Sequence, residues 1–194
     1  MLAQTDTGAE LVAMLNLPES YSNKSLELLR EGDSRYFKDL KVNLKNVLSC
    51  DHLSEKETAL LGLTIAINQN NEVLTGYFTN LSKEKEASEA EIADAVACTS
   101  LLASNNVFYR FRHFAQKEKY QQLPARLKMN IMMKPVLGKE FFELASLAVS
   151  AVNGCEQCVK SHEHSLIELG SSEERIFDAV RLSSVVVSLS KVVY

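Results

Sequence analysis

Glu143, Cys155, Cys158 and His162 stand in this 194-residue chain in the pattern E-x11-C-x2-C-x3-H. Two thiols one helical turn apart can cycle between dithiol and disulfide. A histidine one turn further on can take a proton from the nearer sulfur, and a carboxylate on the preceding helix can orient and recharge that histidine. If a helix opens near Cys155, at about 100° per residue, Cys158 projects roughly 60° from Cys155 and His162 within about 20° of it. His162 is at i+4 from Cys158, a separation at which helical side chains meet. First-turn amides have no internal partners and the helix dipole leaves partial positive charge there, so a thiolate is favoured. A thiolate is the form that attacks a peroxide oxygen or a disulfide. Helical Cβ atoms at i and i+3 lie about 5–6 Å apart, whereas a relaxed bridge wants roughly 3.5–4.5 Å. Closing Cys155–Cys158 is therefore expected to distort the first turn and to give a somewhat reducible bond. Lys139 stands at i−4 from Glu143, and a plain surface ion pair is the competing reading of that carboxylate.

The elements that must position these groups read as helices. Hydrophobic residues make up 46% of the chain and charged residues 24%, while Gly (7), Pro (3) and Trp (0) are too scarce for a turn-rich sandwich or barrel. Periodicity predicts helices over 9–15, 24–30, 35–48, 55–67, 72–83, 89–115, 135–152, 156–169 and 172–192. Ser54-x-x-Glu57, Ser88-x-x-Glu91 and Ser171-x-x-Glu174 read as capping boxes, and Gly170 as a left-handed helix end. Asn153-Gly154 marks a corner, 117–122 the main loop, and 83–86 a solvated linker.

The second half matches the first at a shift of 84 residues: Ile92-Ala93-Asp94-Ala95-Val96 corresponds to Ile176-Phe177-Asp178-Ala179-Val180. Leu60 falls on Leu144, Leu63 on Leu147, Glu72 on Glu156 and Ser88 on Ser172 without a gap. The expected organisation is one all-helical domain over 1–194, a two-fold internally duplicated bundle. Its thiol-free copy spans about 55–115 and its active copy about 139–194. Cys155, Cys158 and His162 fall on Asn71, Leu74 and Phe78, so the chemistry belongs to one half.

A net charge of −4 argues against a nucleic-acid footprint, and the aromatic and basic stretch 108–114 reads as helix packing with snorkelling arginines. No apolar run approaches the roughly 18 residues of a membrane span; 185–193 is interrupted by serines and Lys191 and reads as core or subunit interface. Residues 1–6 lack the basic start and apolar stretch of a secretory signal. The expected compartment is the cytoplasm, where a C-x-x-C is redox-active or metal-binding rather than a staple. Zinc at Cys155 and Cys158 is a competitor, but His162 and His164 point about 200° apart and do not complete one tetrahedral site. Cys50 and Cys98 read as small hydrophobes, and His52 and His113 as surface or capping groups.

The stretch Val152-Asn153-Gly154-Cys155-Glu156-Gln157-Cys158-Val159-Lys160-Ser161-His162-Glu163-His164 resembles the active-site segment of the alkyl hydroperoxide reductase D family. These are lipoyl-dependent peroxidases of the carboxymuconolactone decarboxylase-like superfamily. The resemblance extends through Asn105-Asn106-Val107-Phe108-Tyr109-Arg110-Phe111-Arg112, through Ala125-Arg126-Leu127-Lys128-Met129-Asn130-Ile131, and through 176–180, covering most of the chain. It implies an all-α fold of the alkylhydroperoxidase D type and reduction of hydrogen peroxide and organic hydroperoxides. Cys158 is then the attacking thiol that becomes sulfenic acid. Cys155 is the proton donor and resolving thiol, closing the Cys155–Cys158 redox disulfide and meeting partner thiols. Glu143 and His162 form the proton relay. No bound cofactor is implied. Electrons come from a dihydrolipoyl group on a lipoylated 2-oxoacid dehydrogenase component and pass in some systems to a peroxiredoxin through Cys155. The assembly is a trimer or a dimer of trimers. Gln157 departs from the pattern, standing where better-known members carry a second histidine; it can hydrogen-bond but not titrate near neutrality. A general protein disulfide reductase, a helical scaffold with a structural or vestigial C-x-x-C, and a muconolactone decarboxylase remain the alternatives.

Overall fold

A computed structural model describes residues 7–194. Residues 1–6, read above for a leader, lie outside the described residues. The described residues form ten α-helices and no strand, the all-α class expected. They are α1 (Thr7–Met14), α2 (Lys24–Glu31), α3 (Tyr36–Leu48), α4 (Glu55–Asn68), α5 (Glu72–Glu84), α6 (Glu89–Ala115), α7 (Glu118–Gln122), α8 (Lys139–Val152), α9 (Glu156–Glu168) and α10 (Glu173–Leu189). A 3-10 turn spans Asn130–Met133.

Two helices form the centre. Residues 58–66 of α4 and 141–150 of α8 are buried without interruption. A helix apolar on all sides belongs inside a bundle rather than on its face. α5, α6 and α10 pack around α4, and α6, α9 and α10 around α8, with α4 and α8 in mutual contact. α3 leans on α10 and carries α1. The starts of α4, α5 and α6 precede those of α8, α9 and α10 by 84 residues each, the shift at which the sequence matches itself. Glu57 on α4 and Glu140 on α8 grip Arg175 of α10, at 2.6 and 2.9 Å, and so tie three helices together.

Several local expectations are corrected. Residues 118–122, inside the expected loop, are helical as α7, where Gln122 hydrogen-bonds Glu118 one turn back at 2.8 Å. The helix expected from 135 starts only at Lys139, because Gly138 occupies the cap with a φ of 79° and separates it from the 3-10 turn. Ser54 and Ser88 make complete capping boxes as expected. Ser171 does not cap α10: Ser172 accepts from the Arg175 amide at 3.2 Å, while the Ser171 hydroxyl is drawn to Glu140 at 2.5 Å. Within 108–114 the packing reading holds only in part. Arg112 stacks over Phe108 and Arg110 turns inward, but Phe111 and Phe114 lie on the outer side of α6, 52% and 71% exposed.

Candidate active site

The thiol segment is set by the corner between α8 and α9. Gly154 there has a φ of 68°, a left-handed conformation that glycine adopts without Cβ strain. The Cys155 amide reaches back to the Ser150 carbonyl at 3.0 Å. A buried polar net fixes the corner from outside. Asn106 bridges the Ser150 hydroxyl and the Asn153 side chain, each at 2.9 Å; Asn68 donates to Asn153 at 3.0 Å; and Arg110 donates to the Asn153 carbonyl at 2.5 Å.

Cys155 is the N-cap of α9, with φ −97° and ψ 88°, and makes no side-chain capping bond. Asn71, 84 residues earlier, caps α5 by accepting from the Leu74 amide at 2.8 Å. A thiol stands where the earlier helix has an acceptor, and the first turn of α9 is left to whatever charge develops on sulfur. Cys155 and Cys158 are joined as a disulfide with their Cα atoms 5.3 Å apart. This corrects the expected distortion of the first turn. With Cys155 outside the helix, the separation falls in the ordinary range for bridges while α9 keeps its first turn. An ionised Cys158 at the third position of a helix is a good leaving group, and that is the remaining physical ground for reducibility.

Glu143 and His162 meet across the two helices, with His162 Nδ1 2.6 Å from Glu143 Oε2. Both side chains are about one-tenth exposed. The expected alternative, an exposed pair of Glu143 with Lys139, is not the arrangement found. An ionised carboxylate accepts only, so Nδ1 carries the hydrogen and the lone pair of the neutral ring is on Nε2. His162 and Cys158 line one cavity of about 310 Å³. Its other walls are Leu102, Asn105 and Tyr109 from α6, Met129 and Met132 from the segment before α8, and Gln157 and Ser161 from α9. Cys158 is 7% exposed and Cys155 0%. The lining mixes apolar side chains with hydrogen-bonding ones. The site therefore unites a disulfide, an imidazole hydrogen-bonded to a buried carboxylate, and space for a small molecule.

Of the residues singled out from sequence, Glu143, Cys155, Cys158, His162 and Gln157 come together. Asn105, Asn106, Arg110 and Met129 were not singled out as chemistry. They lie in the two upstream stretches quoted for the resemblance, which was the available signal. Cys98 is apart from the site and buried against Ser146, and burial pushes its thiol up to about 12. Cys50 is half-buried in a broader cleft of about 640 Å³, where His52 pairs with the buried Asp178 at 2.8 Å. That cleft is larger but the disulfide does not line it. His164 faces Glu168 at 3.4 Å on the outside of α9, and among the described residues no group of three or more His, Cys, Asp or Glu could hold a metal ion. Among the same residues no helix is long and apolar enough to cross a membrane.

Residues 118–193 match the carboxymuconolactone decarboxylase family. The chain is 41% identical over 163 residues to the alkyl hydroperoxide reductase AhpD of Anaeromyxobacter dehalogenans, covering 84% of this chain and 87% of that protein. The chain belongs to the AhpD family. Other AhpD proteins it resembles include one from Coxiella burnetii, 39% identical over 160 residues (81% and 90% of the two chains), and one from Azorhizobium caulinodans, 39% identical over 173 residues (84% and 90%). The segment matched by the carboxymuconolactone decarboxylase family contains Glu143, the disulfide and His162, while the α6 wall of the cavity lies before it.

Proposed function

We propose that this chain is a thiol peroxidase of the alkyl hydroperoxide reductase type, reducing hydrogen peroxide and organic hydroperoxides through the Cys155–Cys158 pair. The observation that carries the reading is one cavity shared by Cys158 and His162, with the imidazole held at 2.6 Å by a buried Glu143. The names of its relatives support the same assignment.

In the reduced enzyme His162 Nε2 takes the Cys158 proton, and Glu143 stabilises the imidazolium that results. The thiolate attacks the terminal oxygen of ROOH. An S–O bond forms, the O–O bond breaks, and RO⁻ leaves with the proton returned by His162. Cys158 is now a sulfenic acid. Cys155 attacks its sulfur, the S–S bond forms, and the hydroxyl group leaves as water with the Cys155 proton. A dithiol then opens the bridge by two exchanges and is itself oxidised to a cyclic disulfide. The sum is ROOH plus dithiol giving ROH, water and disulfide. No bound metal or flavin takes part.

The physiological dithiol in this reading is a dihydrolipoyl group on a 2-oxoacid dehydrogenase component, acting in the cytoplasm. Passing electrons on to a peroxiredoxin through Cys155 requires the corner at Asn153-Gly154 to open, because Cys155 is fully covered. The enzyme is proposed to work as a homotrimer or a dimer of trimers.

The test is peroxide consumption by the reduced protein, followed by stopped flow and then in turnover with dihydrolipoamide, thioredoxin or glutathione. Dihydrolipoamide is expected to sustain the fastest turnover. Cys158→Ser is expected to abolish consumption, and Cys155→Ser to stop at a sulfenic acid trapped by dimedone. Wild type no faster than Cys158→Ser would end the peroxidase reading.

A further inference from the structure

Asn105 lines the cavity with Cys158 and His162, yet the steps above give it no task. The residue is 5% exposed, and its amide nitrogen donates to the Met129 sulfur at 3.1 Å. A thioether offers lone pairs and no hydrogen, so this contact identifies the nitrogen side of the amide and leaves the carbonyl facing elsewhere. That carbonyl oxygen is buried without a hydrogen-bond partner among the described residues. Adjacent Asn106 differs: its nitrogen donates to Ser150 and its oxygen accepts from Asn153. A buried acceptor left unpaired in a native site asks for a ligand or a water to complete it.

Such a ligand must bring a hydrogen, and a hydroperoxide carries one on the oxygen that the thiolate attacks. We propose that Asn105 orients the substrate: its amide turns so that the carbonyl, covered in the resting structure, accepts the O–H of the hydroperoxide and holds the terminal oxygen in front of Cys158. The inference rests on the peroxidase reading above and adds to it the group that recognises the reacting end. During the attack that oxygen keeps its hydrogen and becomes the hydroxyl of the sulfenic acid. The proton delivered to RO⁻ comes from His162, so the hydrogen bond to Asn105 is not consumed. Leu102, Tyr109 and Met132 flank the cavity as surface for the R group. Selection by Asn105 is for the O–H itself, whatever tail it carries.

The experiment uses full-length, pre-reduced protein mixed with hydrogen peroxide, with cumene hydroperoxide, and with methyl methanethiosulfonate. The last is an electrophile that has no hydrogen-bond donor and reports the thiolate alone. Asn105→Leu is expected to slow both hydroperoxides about tenfold, equivalent to roughly 1.4 kcal/mol, and to change the thiosulfonate rate by less than about twofold. Asn105→Ser, which restores a shorter acceptor, is expected to fall between Asn105→Leu and wild type. Equal losses with all three electrophiles would overturn the proposal, because Asn105 would then act on the thiol or the fold. Unchanged hydroperoxide rates in both variants would overturn it too, the carbonyl being completed by water only. Wild type indistinguishable from Cys158→Ser would instead remove the peroxidase reading and this inference with it.

Discussion

The two ring nitrogens of His162 have separate duties. Nδ1 is spent on Glu143 at 2.6 Å, which leaves Nε2 as the basic side of the ring. In the proposed cycle Glu143 acts through the imidazole, orienting it and offsetting the charge it gains on taking a proton. Glu143→Gln keeps the shape but loses the charge, and its amide can present the wrong face to Nδ1. We expect the rate of hydroperoxide reduction by this variant to fall about 10²-fold, toward the lower bound for losing a positioned acid–base group. Its thermal unfolding should change little. Stopped-flow rates beside a melting curve check both, and a full-rate variant would remove Glu143 from the relay. Cys98 illustrates how position decides reactivity. It has the same side chain as Cys158, but burial in the core holds its proton up to about 12 and leaves it a packing group.

Elements place these residues through their ends. α4, α6 and α10 are begun by serine caps, and α9 by a cysteine. The complete boxes at Ser54 and Ser88 could be read from the chain, because a capping box is a local pattern over four residues. At Ser171 the same pattern misled: Glu140, distant in sequence, claims the hydroxyl, and α10 starts one residue later with Ser172 as its cap. The E-x11-C-x2-C-x3-H spacing located the group that meets in space, since its parts lie on consecutive helices joined by one tight corner. The cavity opposite was not legible residue by residue. Asn105, Met129 and Met132 arrive from separate segments whose convergence depends on how α6 lies across α8 and α9.

The Arg175 clamp is the element-scale feature most open to test. Burial is the largest single influence and would raise the Glu57 and Glu140 carboxyls, but hydrogen bonds from Arg175, joined by Ser54 at Glu57 and Ser171 at Glu140, together with the Arg175 charge, hold both below the usual value. A lowered folded-state value adds stability above the unfolded value of about 4.3, and that stability is lost as pH falls through the folded value. Arg175→Met is expected to lose about 1–3 kcal/mol at neutral pH, allowing for partial solvent screening. The gap to wild type should narrow below about pH 4 as both carboxyls take up protons. Urea unfolding at the two pH values measures it, and a gap independent of pH would contradict the linkage.

At the scale of the whole molecule, one face looks unfinished. Val107, Phe111 and Phe114 follow one another at helical spacing on the last turns of α6, each more than half exposed. A contiguous exposed apolar stripe is a candidate interaction surface. Under the proposed trimer or hexamer, Phe111→Glu is expected to give monomers by sedimentation velocity, and a monomeric wild type would refute the assembly. A different consequence follows from the lining of the cavity. Met129 and Met132 are themselves oxidisable, and peroxides turn thioethers into sulfoxides whenever nothing faster consumes them. In the proposed cycle a recycled Cys158 wins that race while reductant is plentiful. During starvation the bridge would stay closed, oxidant would linger beside the two methionines, and the greasy wall would turn polar. Wear of this kind would leave a chemical record of how long the catalyst had gone unfed.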